Sequence, residues 1–141
     1  MGHVGIDFVV RRQRGWEVFA IEVNSRMTGT LHHAHTLRLL TGGRYDPQDG
    51  LFRTPGGTPR FYVGLDEVAV PRGIGLEQLL DRARSGGVAW DPVRQTGVVF
   101  QTVSGPTVSG KVGVTAIGSS PEEAEALLER TVELLAGSSA G

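Results

Sequence analysis

The sequence predicts an α+β domain in which an antiparallel sheet is covered on one side by helices. Two pairs of segments have alternating apolar residues, which is the pattern of half-buried strands. Two other segments have helical character and end at a glycine pair, and a third helical segment closes the chain with a strong N-terminal cap. The length of 141 residues suits one domain.

The first pair of alternating segments is residues 4–10 and 17–24. If Arg14-Gly15 is a two-residue hairpin loop, Asp7 lies opposite Glu22 and Val9 lies opposite Ala20. Alternation then gives one continuous core face, made of Val4, Ile6, Phe8, Val10, Phe19, Ile21 and Val23. The other face carries Gly5, Asp7, Val9, Val18, Ala20, Glu22 and Asn24.

The rest of the chain continues as a mixture of helices and strands. We predict a helix over 31–41, a strand over 60–65, a helix over 76–85 and an antiparallel pair of strands over 97–103 and 111–117. The last helix follows Ser120 as N-cap, with Pro121 in its first turn and Glu123 completing a capping box.

Composition and charge exclude several classes of function. The net charge of −1 lacks the basic footprint of a nucleic-acid-binding protein. The absence of cysteine excludes disulfides and thiol chemistry. The longest apolar runs are too short to cross a membrane, and the first residues do not resemble a secretory signal, so we expect a cytoplasmic protein. Residues 1–60 have 8 Arg against 5 acidic residues, which favours an anionic ligand there.

The sharpest chemical signal is the pair Asp7 and Glu22, with Asn24 two residues further along the same face. Like charges directly across a strand pair are destabilising, and a divalent cation would remove that penalty. Oxygen ligands alone suit Mg²⁺ or Mn²⁺. Arg26 follows and could hold a phosphate or a carboxylate through two hydrogen bonds. The alternative is that these residues are the solvated polar face of an ordinary strand pair.

The segments 5–10 and 22–26 resemble the C-terminal catalytic segment of the ATP-grasp ligases. The Glu-x-Asn-x-Arg pattern at Glu22, Asn24 and Arg26 is similar to that of the biotin carboxylase branch. The longer similarity is to the pheganomycin-type peptide ligases, and it covers the chain from Gly5 to about Leu135. The further matching segments are 28–30, 39–43, 45–47, 50–53, 97–100 and 111–118.

This resemblance implies a carboxylate–amine ligase that uses ATP and Mg²⁺ or Mn²⁺. In such an enzyme a carboxylate attacks the γ-phosphate to give an acyl phosphate, and an amine then displaces phosphate to form an amide. The resemblance assigns Asp7, Glu22 and Asn24 to the metal, and Asn24 and Arg26 to the nucleotide phosphates. Arg26 would also stabilise the acyl phosphate, which makes it the catalytic candidate. The family usually has His where this chain has Gln101.

The resemblance also predicts how the chain is organised and what it needs. Residues 1–136 would form the C-terminal ATP-grasp subdomain, with the N-terminal lobe absent, and residues 137–141 a flexible tail. The expected partners are ATP, an acid and an amine substrate, and either a separate chain that supplies the N-terminal lobe or a second copy of this chain. The alternatives are a non-catalytic interaction module that pairs through an exposed strand edge, and a gene remnant of low stability.

Two weaker patterns have simpler interpretations. Residues 105–111 approach a phosphate-binding P-loop, but Val112 replaces the required Ser or Thr, so a loop between two strands is the better prediction. His32, His33 and His35 lie near the start of a predicted helix. Without a clear third ligand, substrate contact or helix packing fits them better than zinc.

Overall fold

A computed structural model describes residues 4–26 and 29–137. The predicted tail, apart from Gly137, lies outside these residues, as does part of the matching segment 28–30. The chain divides into two compact units, residues 1–32 and residues 33–141. Helices and antiparallel strands alternate along it, which confirms the predicted α+β class.

The first unit contains an antiparallel hairpin of β1 (Gly5–Arg12) and β2 (Trp16–Asn24). Asp7 lies opposite Glu22, as predicted, and Gly5 lies opposite Asn24. The predicted two-residue loop is wrong, because Arg12 pairs with Trp16 and leaves a three-residue loop over 13–15. A register shift after Asp7 then adds one residue to β2.

These two deviations change the predicted faces of the hairpin. Between the loop and the register shift, Val9 lies opposite Phe19 rather than Ala20, and Val10 lies opposite Val18. Because paired residues share a face, Phe19 joins the side of Asp7 and Glu22, whereas Val18 and Ala20 join the apolar side. The loop and the bulge displace the register in opposite directions, so only the pairing of Asp7 with Glu22 and of the positions beyond it survives.

The second unit is built around a three-stranded antiparallel sheet of order β5–β7–β6. These strands are β5 (Phe61–Ala69), β6 (Gly97–Gln101) and β7 (Lys111–Gly118). Val112, Val114 and Ala116 of β7 pack in the main core with apolar residues of α2 (Leu76–Ser85) and α4 (Pro121–Ala136). The bounds of α2 are those predicted. β6 ends two residues before its predicted end, where Thr102 takes a φ of 54° that a strand cannot continue.

The other face of the sheet is covered by α1 (Gly29–Thr41), so the helices do not all lie on one side as predicted. Leu37 of α1 and Ile117 of β7 belong to a second buried cluster with Phe52. Ile117 and Val114 point to opposite faces because strand side chains alternate. All residues of β7 after Lys111 are buried, and such a strand gives no sequence signal for which side its helices occupy.

Three further local features complete the fold. A short strand pair, β3 (Arg44–Tyr45) and β4 (Phe52–Arg53), was not predicted from the sequence. A one-turn helix, α3 (Gly105–Val108), lies within the predicted loop before β7, and because β7 starts at Lys111 the segment is not a P-loop. At α4, Ser120 accepts from the Glu123 amide as predicted, whereas the Glu123 carboxylate accepts from the Ser119 amide at 2.7 Å.

We expect Gly64→Ala to lower the stability of the second unit. A Cβ at this position would lie 2.2 Å from the ring of the buried His33, and overpacking of this kind typically costs about 1–3 kcal/mol. The urea midpoint measures the effect, with Gly56→Ala as the control, since its nearest neighbour would be 3.8 Å away. Equal midpoints for the two variants would contradict the prediction. So would a loss of stability from Gly64→Ala that is just as large when His33 is replaced by Ala.

Candidate metal and ligand site

The hairpin holds the predicted metal ligands Asp7, Glu22 and Asn24 at the end that is distant from the loop. Asp7 and Glu22 are directly paired across the strands, and both side chains are exposed. The amide nitrogen of Asn24 lies 3.5 Å from Oδ2 of Asp7, on the same face. Two carboxylates and an amide oxygen therefore gather on one patch of the hairpin.

This donor set fits a small hard cation. Mg²⁺ usually takes one or two carboxylates, keeps several waters and completes its shell with substrate phosphates. Within residues 4–26 and 29–137, no group of three or more His, Asp or Glu residues could hold a metal by itself. The set Asp7, Glu22 and Asn24 therefore suits a metal that is shared with a phosphate ligand. It is poorly suited to zinc, which prefers nitrogen and sulfur.

The hairpin is also apolar on an exposed face. Phe8 and Val10 of β1 and Val18 and Val23 of β2 share the side opposite Asp7, and each is about half exposed or more. Near the loop, Arg11 bonds Glu17 at 2.6 Å and its guanidinium lies 5.3 Å from the centre of the Phe19 ring. An isolated two-stranded hairpin is marginal in water, so this exposed apolar face is a candidate contact surface.

Of the histidines considered for a ligand role, His33 has a structural position in the second unit. Its Nδ1 lies 2.7 Å from the hydroxyl of Thr115, and its Nε2 lies 3.3 Å from the carboxylate of Asp66. Gln101 donates to the same Thr115 hydroxyl at 2.7 Å and to Thr36 at 2.9 Å. These contacts favour the packing interpretation of His33. They also give Gln101 a structural role, as the donor that satisfies two hydroxyls between α1 and the sheet.

Sequence reasoning missed a surface groove of about 690 Å³ in the second unit. It is lined by the segments 42–47 and 53–55 and by Gly57, and it includes Arg44, Asp46 and Arg53. The sequence signal for this groove was Gly42-Gly43 followed by the charged residues Arg44 and Asp46. A sequence alone does not show that these residues line a groove together with Arg53.

No helix within the described residues is long and apolar enough to cross a membrane.

A family model described as the PGM1 C-terminal domain matches residues 78–131 of this chain, which run from α2 into α4. The L-propargylglycine–L-glutamate ligase of Streptantibioticus cattleyicolor is 30% identical over 139 residues. That match covers 96% of this chain but only 28% of the relative, so the chain spans little more than a quarter of its length. No solved structure matches the chain.

Neutralising either paired carboxylate should stabilise the metal-free hairpin. We expect Asp7→Asn and Glu22→Gln each to slow amide hydrogen exchange in β1 and β2 in the presence of a chelator, because each removes the repulsion between like charges. Glu17→Gln is the matched control, since it removes a hairpin carboxylate that already bonds Arg11. Faster exchange in both test variants would show that the carboxylates do not repel one another.

Proposed function

Since the chain corresponds to the C-terminal part of a pheganomycin-type ligase, we propose that it contributes the metal and phosphate site of an ATP-dependent carboxylate–amine ligase. The observation that carries this proposal is the pairing of Asp7 with Glu22, with Asn24 in reach of Asp7. These residues supply oxygen donors and two carboxylates in one place, as an Mg²⁺ or Mn²⁺ site that is shared with ATP requires. Because the reaction consumes ATP, we expect it to take place in the cytoplasm.

The proposed reaction has two steps. A carboxylate oxygen of the acid substrate attacks the γ-phosphorus of ATP, the bond to the bridging oxygen breaks, and ADP leaves. The nitrogen of the amine substrate then attacks the carbonyl carbon of the acyl phosphate, loses a proton to solvent, and inorganic phosphate leaves. The products are an amide, ADP and phosphate.

Each residue of the proposed site has a distinct role. Asp7 and Glu22 would hold the cation through their carboxylates, and Asn24 would add its amide oxygen and orient Asp7. A bound divalent cation neutralises charge on the phosphate oxygens. Arg26, two residues after Asn24, would bind the γ-phosphate and the acyl phosphate formed from it. Its planar guanidinium matches the oxygens of either group.

The acid and amine substrates are proposed from the relative's name, which specifies L-propargylglycine and L-glutamate. We propose two amino acids as the substrates of this chain, joined through a carboxylate of one and the amine of the other. The exposed apolar face of the hairpin would be covered by the remaining part of the ligase, whether on the same or on a separate polypeptide. Contact with the remaining part of the ligase would stabilise the hairpin and so keep the metal site ordered.

Mn²⁺ should bind at the open end of the hairpin. We expect it to broaden the NMR resonances of residues 5–9 and 20–24 selectively, and we expect Mg-ATP to tighten its binding because the phosphates complete the metal's shell. Asp7→Asn and Glu22→Gln should each weaken Mn²⁺ binding about tenfold or more, since a charged ligand is lost.

The control is Glu17→Gln, which changes the charge of the same hairpin by the same amount but leaves the proposed ligands intact. Its Mn²⁺ affinity should equal that of the unmodified chain. If all three substitutions weakened Mn²⁺ binding equally, the loss would be due to the charge of the hairpin and not to lost metal ligands. If Mn²⁺ broadened resonances throughout the chain, the result would contradict the proposed site.

A second candidate function is self-association through the apolar face of the hairpin, which is favoured by the exposure of Phe8, Val10 and Val23. In sedimentation velocity we expect a dimer whose dissociation constant rises about tenfold in Phe8→Lys, since a charge cannot be buried unpaired. Val93→Lys is the control, because Val93 is 90% exposed in the second unit. A monomer at every concentration tested would rule out this function.

A further inference from the structure

Strand β5 lies at an edge of the three-stranded sheet, because the sheet order is β5–β7–β6. The opposite edge is covered, since the amide of Val98 in β6 donates to the carbonyl oxygen of Val88 at 2.8 Å and Ala89 forms a parallel bridge with Val98. Just before β5, the amide of Arg60 donates to the carbonyl oxygen of Phe52 at 2.9 Å. Beyond that point, none of the strands in the described part of the chain pairs with the outer side of β5.

The register of the sheet shows which backbone groups of β5 point away from β7. Opposite residues of an antiparallel pair either exchange hydrogen bonds or both point outward. Val98 points outward and is opposite Ala116, so the backbone groups of Ala116 point to β5, where they meet Val63. The N–H and C=O groups of the neighbouring residues Tyr62 and Gly64 therefore point to the outer side of the sheet.

This open edge is short and has a defined end. The register of β5 with β7 is regular as far as Leu65 and shifts before Val68. Asp66 and Glu67 lie in the irregular part, and a bulge with charged side chains is a common feature that stops a sheet from extending. The open edge therefore extends from Tyr62 to Leu65, which is about 13 Å at the usual rise per residue.

A pocket of about 290 Å³, which we call the edge pocket, lies against the first part of this edge. Its walls come from β5, from the first turns of α4 and from the β3–β4 region, and they include Phe61, Val63, Ala124, Glu125, Tyr45 and Phe52. The volume lies just below the usual range for sites that enclose a whole small molecule. It suits a few side chains of a strand that lies along the edge.

One side of the edge pocket is aromatic. Tyr62 packs against the second buried cluster, which contains Phe52, so these two residues lie on the α1 side of the sheet. The rings of Tyr45 and Phe52 are 5.4 Å apart at an angle of 85°. Burial, together with a hydrogen bond to Tyr62, raises the pKa of Tyr45 to about 12, so its phenol is neutral near pH 7. This side favours a large apolar side chain.

The other side of the edge pocket is formed by α4 and contains a carboxylate. Val63 packs against the main core on this side, next to the buried Ala124 and the exposed Glu125. Arg60 also contributes to the pocket, but its guanidinium donates to three backbone carbonyl oxygens at 2.7–3.0 Å, which directs it to the loop before β6. The charge that Glu125 presents here favours a basic side chain.

We propose that the open edge of β5 binds an extended peptide segment of a partner protein as an additional antiparallel strand. Alternate side chains of an added strand point to opposite faces. Large apolar residues of the segment would face Tyr45 and Tyr62, and a Lys or Arg between them would face Glu125. The aliphatic stem of that basic residue would cover Val63 and Ala124. Strand addition gains affinity from main-chain hydrogen bonds and selectivity from such side-chain contacts.

A second copy of this chain does not fit the open edge through its own β5. In a two-fold antiparallel pair that uses Tyr62 or Gly64, residue 64, 66 or 68 of the second copy would lie beside Arg60. That position is already occupied by Phe52, whose carbonyl oxygen accepts from the Arg60 amide. A segment that ends or leaves the sheet at Phe52 has no such conflict, which favours a short peptide segment over a copy of β5.

The experiment is a titration of the ¹⁵N-labelled chain at low salt with the peptide acetyl-Ser-Leu-Lys-Leu-Ser amide, followed by NMR. We expect saturable shifts at residues 61–65 and 121–125. In the proposed register the leucines pair with Tyr62 and Gly64, and the lysine lies opposite Val63 with its own N–H pointing away from β5. N-methylation of the first leucine should weaken binding about fivefold or more, whereas N-methylation of the lysine should leave it unchanged.

The charge contact is tested on the same peptide. Replacing its lysine with glutamate should weaken binding about threefold or more, and added salt should reduce the difference. Glu125→Gln should abolish the preference for lysine. Glu133→Gln is the matched control, since it removes an exposed carboxylate of the same helix about 12 Å further along the axis, and it should keep the preference.

The comparison of the two N-methylated peptides uses the unmodified chain, so it decides the question even if a variant fails to fold. Equal affinity for these two peptides would overturn the proposal, as would resonances at 61–65 that do not move or shifts confined to the hairpin residues 5–24. The proposal does not depend on the metal site, because Mn²⁺ and Mg-ATP report on residues 5–9 and 20–24. Failure of either experiment therefore leaves the other result standing.

Discussion

The burial of β7 on both faces is the constraint on which the second unit depends. Because β7 is the middle strand, every side chain from Val112 to Ile117 must find a partner within the protein. Val114 and Ala116 find theirs in the core with α2 and α4. The hydroxyl of Thr115, which is fully buried, can be accommodated only if it is hydrogen-bonded. Gln101 and His33 satisfy it, and this requirement positions α1 on the sheet.

The elements of this fold could be predicted from the sequence better than their arrangement. Hydrophobic periodicity and capping are local properties, and they located β1, β2, α2 and α4 to within a few residues. The side of the sheet that α1 covers was not predictable, because a strand buried on both faces has no polar side to identify. The pair β3 and β4 was missed because two-residue strands are too short to show a period.

The pairing of Asp7 with Glu22 was predictable, whereas their role as metal ligands stays a prediction. The pairing of Asp7 with Glu22 was predicted from a loop length that proved wrong, and it was right because the bulge compensated for the loop. Phe19 lies between the loop and the bulge, where the register error is not compensated. Its predicted position on the apolar face is therefore wrong. The groove at Arg44 and Asp46 could not be predicted at all, since any charged residue in a sequence looks solvated until its partners are known.

Cation binding on one face of the hairpin and an apolar contact on the other would favour each other. On one face, Asp7 and Glu22 repel unless a cation lies between them, and on the other face Phe8 and Val10 are exposed to water. In the proposed function a cation and an apolar partner would act on opposite faces, so neither would exclude the other. Each would stabilise the same ordered hairpin, and whichever bound first would reduce the conformational entropy that the second must overcome. Linkage then requires that covering the apolar face would tighten metal binding, and that metal binding would tighten the binding of the apolar partner by the same factor.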